Sequence, residues 1–379
     1  MTADIQRDAF GLPGEPGAEE DGAASGALLI RTPVPLGQDA GAVQKWFDEV
    51  VEVEAPQFDG SLAAEREAAE IFARMAKAEN THRAYRAAVR AWCAWCLKRN
   101  LPPLPGSGAD VAAFLASERG RGLSPETLKL RRAAIRYLHR AAGCAVPTDD
   151  VAVSETLAGI SRQAARLGQT PRKKVAATAG ILRQILAPIP GDLRGLRDRA
   201  LLLTGFAGAL RRAELAAIRV EQLEKTERGL RLTLFQTKGS QTDAVIVPLP
   251  YGQTELCPVR ALTAWLEAAG ISAGPVFRRI WLPKQTHPGE PPALPRIGTQ
   301  PITPWTVAAI VQTRATEAGF GGRDFGGHSL KRGALTTGME RGVHPADLKR
   351  LGRHKSFDVL GEYLEFGDLF ERHPLGGVL

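Results

Sequence analysis

Cysteine is scarce in this chain of 379 residues, with four in all, and methionine scarcer still, with three. So few thiols exclude a disulfide framework. The close pair Cys93 and Cys96 falls in the helical run AWCAWC, and no second pair or histidine cluster stands at metal-ligand spacing. All four read as reduced thiols, and no metal is expected. Long apolar runs are missing too, since nothing approaches the roughly 18 apolar residues that a membrane span requires. The acidic, Gly-rich start also lacks the basic-then-apolar pattern of a signal peptide. A cytoplasmic protein without a membrane segment is the expectation. With 44% hydrophobic residues, a chain of this length suits two folded domains with separate cores.

What the chain does have is unevenly placed charge. Residues 1–60 carry about 12 Asp and Glu against about 3 Lys and Arg, which leaves about 46 basic against 29 acidic residues in the remainder. The rest of the chain is therefore near +17. An excess of that size favours a polyanionic partner, because each Lys or Arg that neutralises a phosphate releases counterions. Basicity alone does not identify the partner.

Residues 1–60, rich in Gly, Pro, Ala and acid, read as a disordered acidic tail. Residues 61–165 read as helices only. In THRAYRAAVRAWCAWCLKRN the apolar set Tyr85, Val89, Trp92, Cys93, Cys96 and Leu97 recurs every three or four residues, marking one buried face. Ser124 followed by Pro125 predicts a helix start, with the run continuing to about residue 142. On that helix Lys129, Arg132, Arg136 and Arg140 line one face and Leu128, Ile135 and Leu138 another. The basic face suits either solvent or a row of phosphates. Residues 166–177 read as a basic linker in which Arg172, Lys173 and Lys174 are placed to follow a DNA backbone. The second domain, 178–379, opens with helices, passes through two alternating strands at about 229–237 and 244–250, and returns to helices. Residues 284–300, with many Pro and Gly, read as a surface loop. The fold class is mainly α with a small β-sheet.

Four segments carry polar residues that invite chemistry: Arg211 three residues before Glu214, Lys238 at the tip of a strand-turn-strand unit, His328 with Lys331 and Arg332 on a helix, and His354 nine residues before Tyr363. Each also has a purely structural reading, as an ion pair, a solvated turn, a helix cap or a core tyrosine. Together, in this order, they resemble the tyrosine recombinase family of phage-integrase type. That family's pattern runs Arg, a hairpin Lys, His-x-x-Arg, His or Trp, then Tyr. Arg211, Lys238, His328, His354 and Tyr363 stand at those places, with Glu214 in support. About 310 residues fit, the helical unit included, which resembles the family's core-binding domain, so that a two-domain clamp on double-stranded DNA is implied.

One position departs from the pattern. Lys331 stands where the family has its second arginine, and Arg332 follows it. A helix turns about 100° per residue, so Arg332 should point away from the face shared by His328 and Lys331. Lys331 is expected to fill the slot, with its charge intact but without the planar fork that grips two phosphate oxygens.

The resemblance implies that Tyr363 attacks a phosphodiester while Arg211, Lys331 and His354 stabilise the charge that develops on it. His328 is the nearest base, and the hairpin Lys238 would protonate the leaving 5′ oxygen. It further implies a 3′-phosphotyrosyl intermediate and strand exchange in a homotetramer, and with no metal-ligand cluster or phosphate-binding Gly loop in the sequence no cofactor is expected. Two other readings remain at this point: a DNA-binding protein on the same fold with decayed catalysis, and a type IB topoisomerase.

Overall fold

The computed structural model describes residues 33–52, 55–75, 77–169, 174–235, 244–281 and 294–361. The chain divides into two compact units, Met1–Pro171 and Arg172–Leu379. In the first, the described residues form helices α1 (Ala40–Val50), α2 (Leu62–Met75), α3 (Glu79–Leu97), α4 (Gly108–Gly120), α5 (Pro125–Ala141) and α6 (Val151–Arg166). None of the helices described here is long and apolar enough to cross a membrane.

Over its own span, Ala40–Val50, helix α1 corrects the reading of residues 1–60 as a disordered tail. Asp39 caps it by accepting from the Ala42 amide at 2.9 Å, and Val43, Trp46, Phe47 and Val50, at helical spacing, are all buried in the core of the unit. Overall composition hid it. One eleven-residue amphipathic stretch was averaged into acidic, Gly-rich surroundings, although its own period was readable. Aromatic rings dominate this core: Trp92, Trp95 and Phe114 pack on one another, and the Trp92 indole donates to the Pro103 carbonyl at 3.1 Å. Cys93 and Cys96 are buried free thiols within it. Helix α5 starts as its sequence dictates, with the Ser124 hydroxyl accepting from the Thr127 amide and proline at the first turn. Leu128, Ile135 and Leu138 face inward with no exposure.

The second unit runs α7 (Ala179–Leu186), α8 (Leu193–Ala207), α9 (Arg212–Ala216), β1 (Leu223–Thr226), β2 (Gly229–Leu234), β3 (Val245–Pro250), α10 (Pro258–Ala268), β4 (Arg278–Trp281), β5 (Arg296–Pro301), α11 (Pro304–Glu317), α12 (Gly327–Glu340), α13 (Pro345–Gly352) and α14 (Phe357–Gly361). The first three strands form an antiparallel sheet in the order β1-β2-β3, with Leu232 opposite Val247 and Leu234 opposite Val245. Leu232, Leu234, Val247 and Leu249 turn one face of the sheet into the core, as period-two alternation requires. Strands β4 and β5 pair as a second antiparallel ribbon. That pairing corrects the loop expected over 284–300, since β5 occupies its end. Arg-Ile-Gly-Thr-Gln-Pro has turn-like composition, and only the partner strand makes it extended.

Helix α12 lies unusually close to its neighbours because glycines let it. A Cβ on Gly205 of α8 would fall 2.7 Å from the Leu330 side chain, and one on Gly333 would fall 1.8 Å from the Ala177 carbonyl oxygen. Backbone bonds from Val175 to Asp324 and from Ala177 to Ser329 seat the incoming chain against this helix. The span expected to be a basic linker, 166–177, is thus structured at both of its ends among the described residues. Arg166 ends α6, and Ala176 and Ala177 are buried.

Candidate active site

Arg211 stands between two short turns of backbone. Helix α8 ends at Ala207, Ala209 takes a left-handed conformation at φ 44°, and Arg211 then caps α9. The Glu214 carboxylate accepts from the Arg211 amide at 2.9 Å and from its guanidinium at 2.7 Å. It also accepts from the Arg353 guanidinium at 2.8 Å. Burial acts to raise the proton affinity of Glu214, but the charge of Arg353 and the bonds from Arg211 outweigh it and hold the carboxyl below its ordinary range. A fixed anion thus lies between two guanidinium groups.

Lys331 is wholly buried on α12, and its ammonium donates to the Gly352 carbonyl. Burial, together with the positive charges of Arg211 and Arg353, pushes its pKa down to about 7. His354 follows α13, which ends with Arg353 in a left-handed conformation at φ 52°. Its ring lies so near Gly352 that a Cβ there would come within 2.3 Å of it, and the imidazole is 7% exposed. Burial first, then the charges of Lys331, Arg211 and Arg353, lower its pKa to about 4. His354 is therefore neutral at pH 7 and suited to offering a hydrogen bond rather than a charge.

Arg211, Lys331 and His354 are thus brought into one electrostatic neighbourhood, with Glu214 beneath them. His328 is exposed on the otherwise buried first turn of α12, one turn before Lys331. Arg332 is turned elsewhere, donating to the Lys174 carbonyl at 2.5 Å. Lys238 and Tyr363 lie outside the described residues, although strands β2 and β3 on either side of Lys238 pair and α14 ends two residues before Tyr363. Arg353 was not singled out from the sequence. Its only signal there is adjacency to His354, and nothing in linear order brings it to Glu214, 139 residues away.

The basic face of α5 carries local partners. Lys129 pairs with Glu126 at 2.8 Å, Arg136 with Asp149 at 2.7 Å, and Arg132 donates to the Thr148 carbonyl at 3.1 Å, while Arg140 is exposed. The acids come from the first turn of α5 and from the 3₁₀ turn Pro147–Asp149, so the face is less bare than the run of cations implied. Such exposed pairs are worth about 0–1 kcal/mol and can be exchanged for phosphate. Lys174 donates to the Arg323 carbonyl; Arg172 and Lys173 lie outside the described residues. Among the described residues no group of three or more His, Cys, Asp or Glu could hold a metal ion.

Two largely buried guanidinium groups, a buried ammonium and a neutral imidazole thus share one neighbourhood of the second unit, which follows an all-helical unit. Comparison with known proteins gives the family. Residues 69–143 match the phage integrase N-terminal SAM-like domain. The chain is 31% identical over 304 residues to an integrase/recombinase XerD homolog of Selenomonas ruminantium, covering 79% of this chain and 85% of that one. It is 24% identical to the recombinase Cre of Escherichia phage P1, covering 77% and 85%. Among solved structures, the XerH site-specific recombinase bound to its palindromic difH substrate matches with a TM-score of 0.59 at 14% identity, covering 90% of this chain and 98% of that one. The Tn1549 transposon integrase in complex with transposon right-end DNA matches at 0.55 and 15%, covering 82% and 97%. The chain belongs to the tyrosine recombinase family. It is an enzyme of DNA recombination that cuts and rejoins DNA strands.

Proposed function

We propose that Tyr363 is the nucleophile and that Arg211, Lys331 and His354 hold the scissile phosphate. The phenolic oxygen bonds to phosphorus as the bond to the 5′ oxygen breaks; the phenol's proton leaves to His328, and the departing oxygen takes a proton from Lys238. The product is a 3′-phosphotyrosyl ester with a free 5′ hydroxyl. Attack by a 5′ hydroxyl of another strand reverses these bonds and rejoins the backbone without ATP. Positive donors fixed around the phosphate lower the barrier because its non-bridging oxygens gain charge in the transition state.

The observation that carries this reading is the Glu214 carboxylate gripping Arg211 and Arg353 while Lys331 and His354 share their field. Family membership supports the roles of Lys238 and Tyr363. Two such exchanges in a homotetramer, each subunit closing its helical unit and its catalytic unit around double-stranded DNA, complete recombination. The basic face of α5, Lys129, Arg132, Arg136 and Arg140, together with Arg172, Lys173 and Lys174, supplies contacts to the DNA backbone.

A nicked suicide substrate tests the assignment. Protein trapped covalently on DNA by the wild type and not by Tyr363→Phe is the expected outcome. No adduct from either protein, with DNA binding intact, would reduce the chain to a binding module; relaxation of supercoiled plasmid without recombinant product would point to topoisomerase-like action.

A further inference from the structure

Three non-glycine residues among those described have positive φ: Asn100, Ala209 and Arg353. Two of them meet. The Arg353 guanidinium donates to the Ala209 carbonyl at 2.9 Å and to the Gly208 carbonyl at 3.0 Å, and the same side chain reaches Glu214 at 2.8 Å and its own turn at the Leu351 carbonyl. A left-handed residue just past a helix end is a place where glycine costs least. An arginine and an alanine there each add backbone strain, which persists only where the surroundings over-determine it. Here the surroundings are each other: one strained turn precedes Arg211, the other precedes His354, and a single planar side chain joins them.

We infer that Arg353 is a positioning residue for strand cleavage: it locks the turn bearing Arg211 to the turn bearing His354, with Glu214 as the shared anchor, and so fixes the spacing of the two groups on the phosphate. Arg353 does not itself reach the phosphate. Its four bonds commit both terminal nitrogens to carbonyls and Glu214. The fork geometry matters, because an ammonium is a point donor and cannot hold both turns and the carboxylate in one plane. Lys331 makes the lock more needed here, since an ammonium without the planar fork fixes the phosphate less firmly than a guanidinium would.

The inference rests on the proposed roles of Arg211 and His354, and its test separates the two. Arg353→Lys keeps the charge and removes the fork. Single-turnover cleavage at saturating DNA should fall about tenfold to a hundredfold, the cost of misplacing a reacting group by about 1 Å, with DNA affinity changed less than about threefold. In a Glu214→Asp background, whose shorter carboxylate already loosens the anchor, the same change should cost little more, since both act on one lock. Followed by NMR without DNA, His354 should titrate near pH 4 in the wild type and about one pH unit higher in Arg353→Lys, as its turn loosens and water reaches the ring. Cleavage within twofold of wild type, equal losses in both backgrounds, or an unmoved His354 titration would each overturn the lock. Absence of any Tyr363-dependent adduct in the wild type would instead remove the proposed chemistry, and the NMR titration would still decide whether Arg353 holds the turn.

Discussion

The helical unit and the catalytic unit use the same residue types, arginine and lysine, in opposite ways. On α5 the cations are at or near the surface, each with at most a local partner, as in Lys129 with Glu126 or Arg136 with Asp149. In the catalytic unit they are sunk and fixed: Lys331 has no exposure, and Arg211 and Arg353 close on a Glu214 side chain that is 7% exposed. Exposure sets what each can do. A solvated cation exchanges a weak partner for a phosphate at little cost and releases a counterion, so it supplies affinity and salt dependence. A buried one cannot move to meet its ligand, but its field is strong and pre-aimed, which is what stabilising a transition state demands.

Removing the counter-ion should expose this contrast most sharply. Glu214→Ala leaves two largely buried guanidinium groups without their anion, and the catalytic unit should lose about 3–5 kcal/mol by urea denaturation. Asp149→Ala, which cuts an exposed pair of the helical unit, should cost less than about 1 kcal/mol by the same measurement. Equal losses would erase the distinction between the two regions.

Protonation sharpens it next. Folded His354 holds its proton only below about pH 4, against 6.5 when unfolded, so the folded chain binds fewer protons across that window. Stability should therefore rise with pH from 4 to 6.5 and fall on acidification, with His354→Asn flattening the slope. Lys331, at about 7 against 10.5 unfolded, has the same sign in its own window: the cost of its buried charge is present below pH 7 and is relieved above it. Cleavage runs the other way, because it uses the charged form. At subsaturating DNA it should decline above about pH 7, and Lys331→Arg should abolish the decline, while Lys331→Ala should lower cleavage by about a hundredfold or more. An alkaline decline that survives in Lys331→Arg would assign it to another group.

The smallest effects belong to α5. Lys129→Ala and Arg136→Ala should each weaken DNA binding and reduce the slope of log affinity against log salt by about one, with cleavage at saturating DNA unchanged. Unaltered slopes would mean that this face meets solvent only.

How far the sequence reached differs from element to element. Helix α5 was legible to within a residue, because Ser124, Pro125 and the spacing of Leu128, Ile135 and Leu138 are local signals. Helix α1 was equally periodic but lay hidden in acidic, Gly-rich composition, and β5 had no signal of its own until β4 paired with it. The difference between Lys331 and Arg332 followed from helix geometry alone: Lys331 is turned to the Gly352 carbonyl, and Arg332 to Lys174.

By itself, the order of residues determined that Arg211 and Glu214, three apart, share one helical stretch and that His328 and Lys331 stand one turn apart on another, because helical period acts over a few neighbours. It could not determine that Arg353 closes on Glu214 and Ala209 about 140 positions earlier, nor that Lys331 is buried deeply enough for its proton to become labile. Those outcomes depend on which surfaces exclude water and which charges share the resulting low-dielectric space, and packing between distant segments alone decides that.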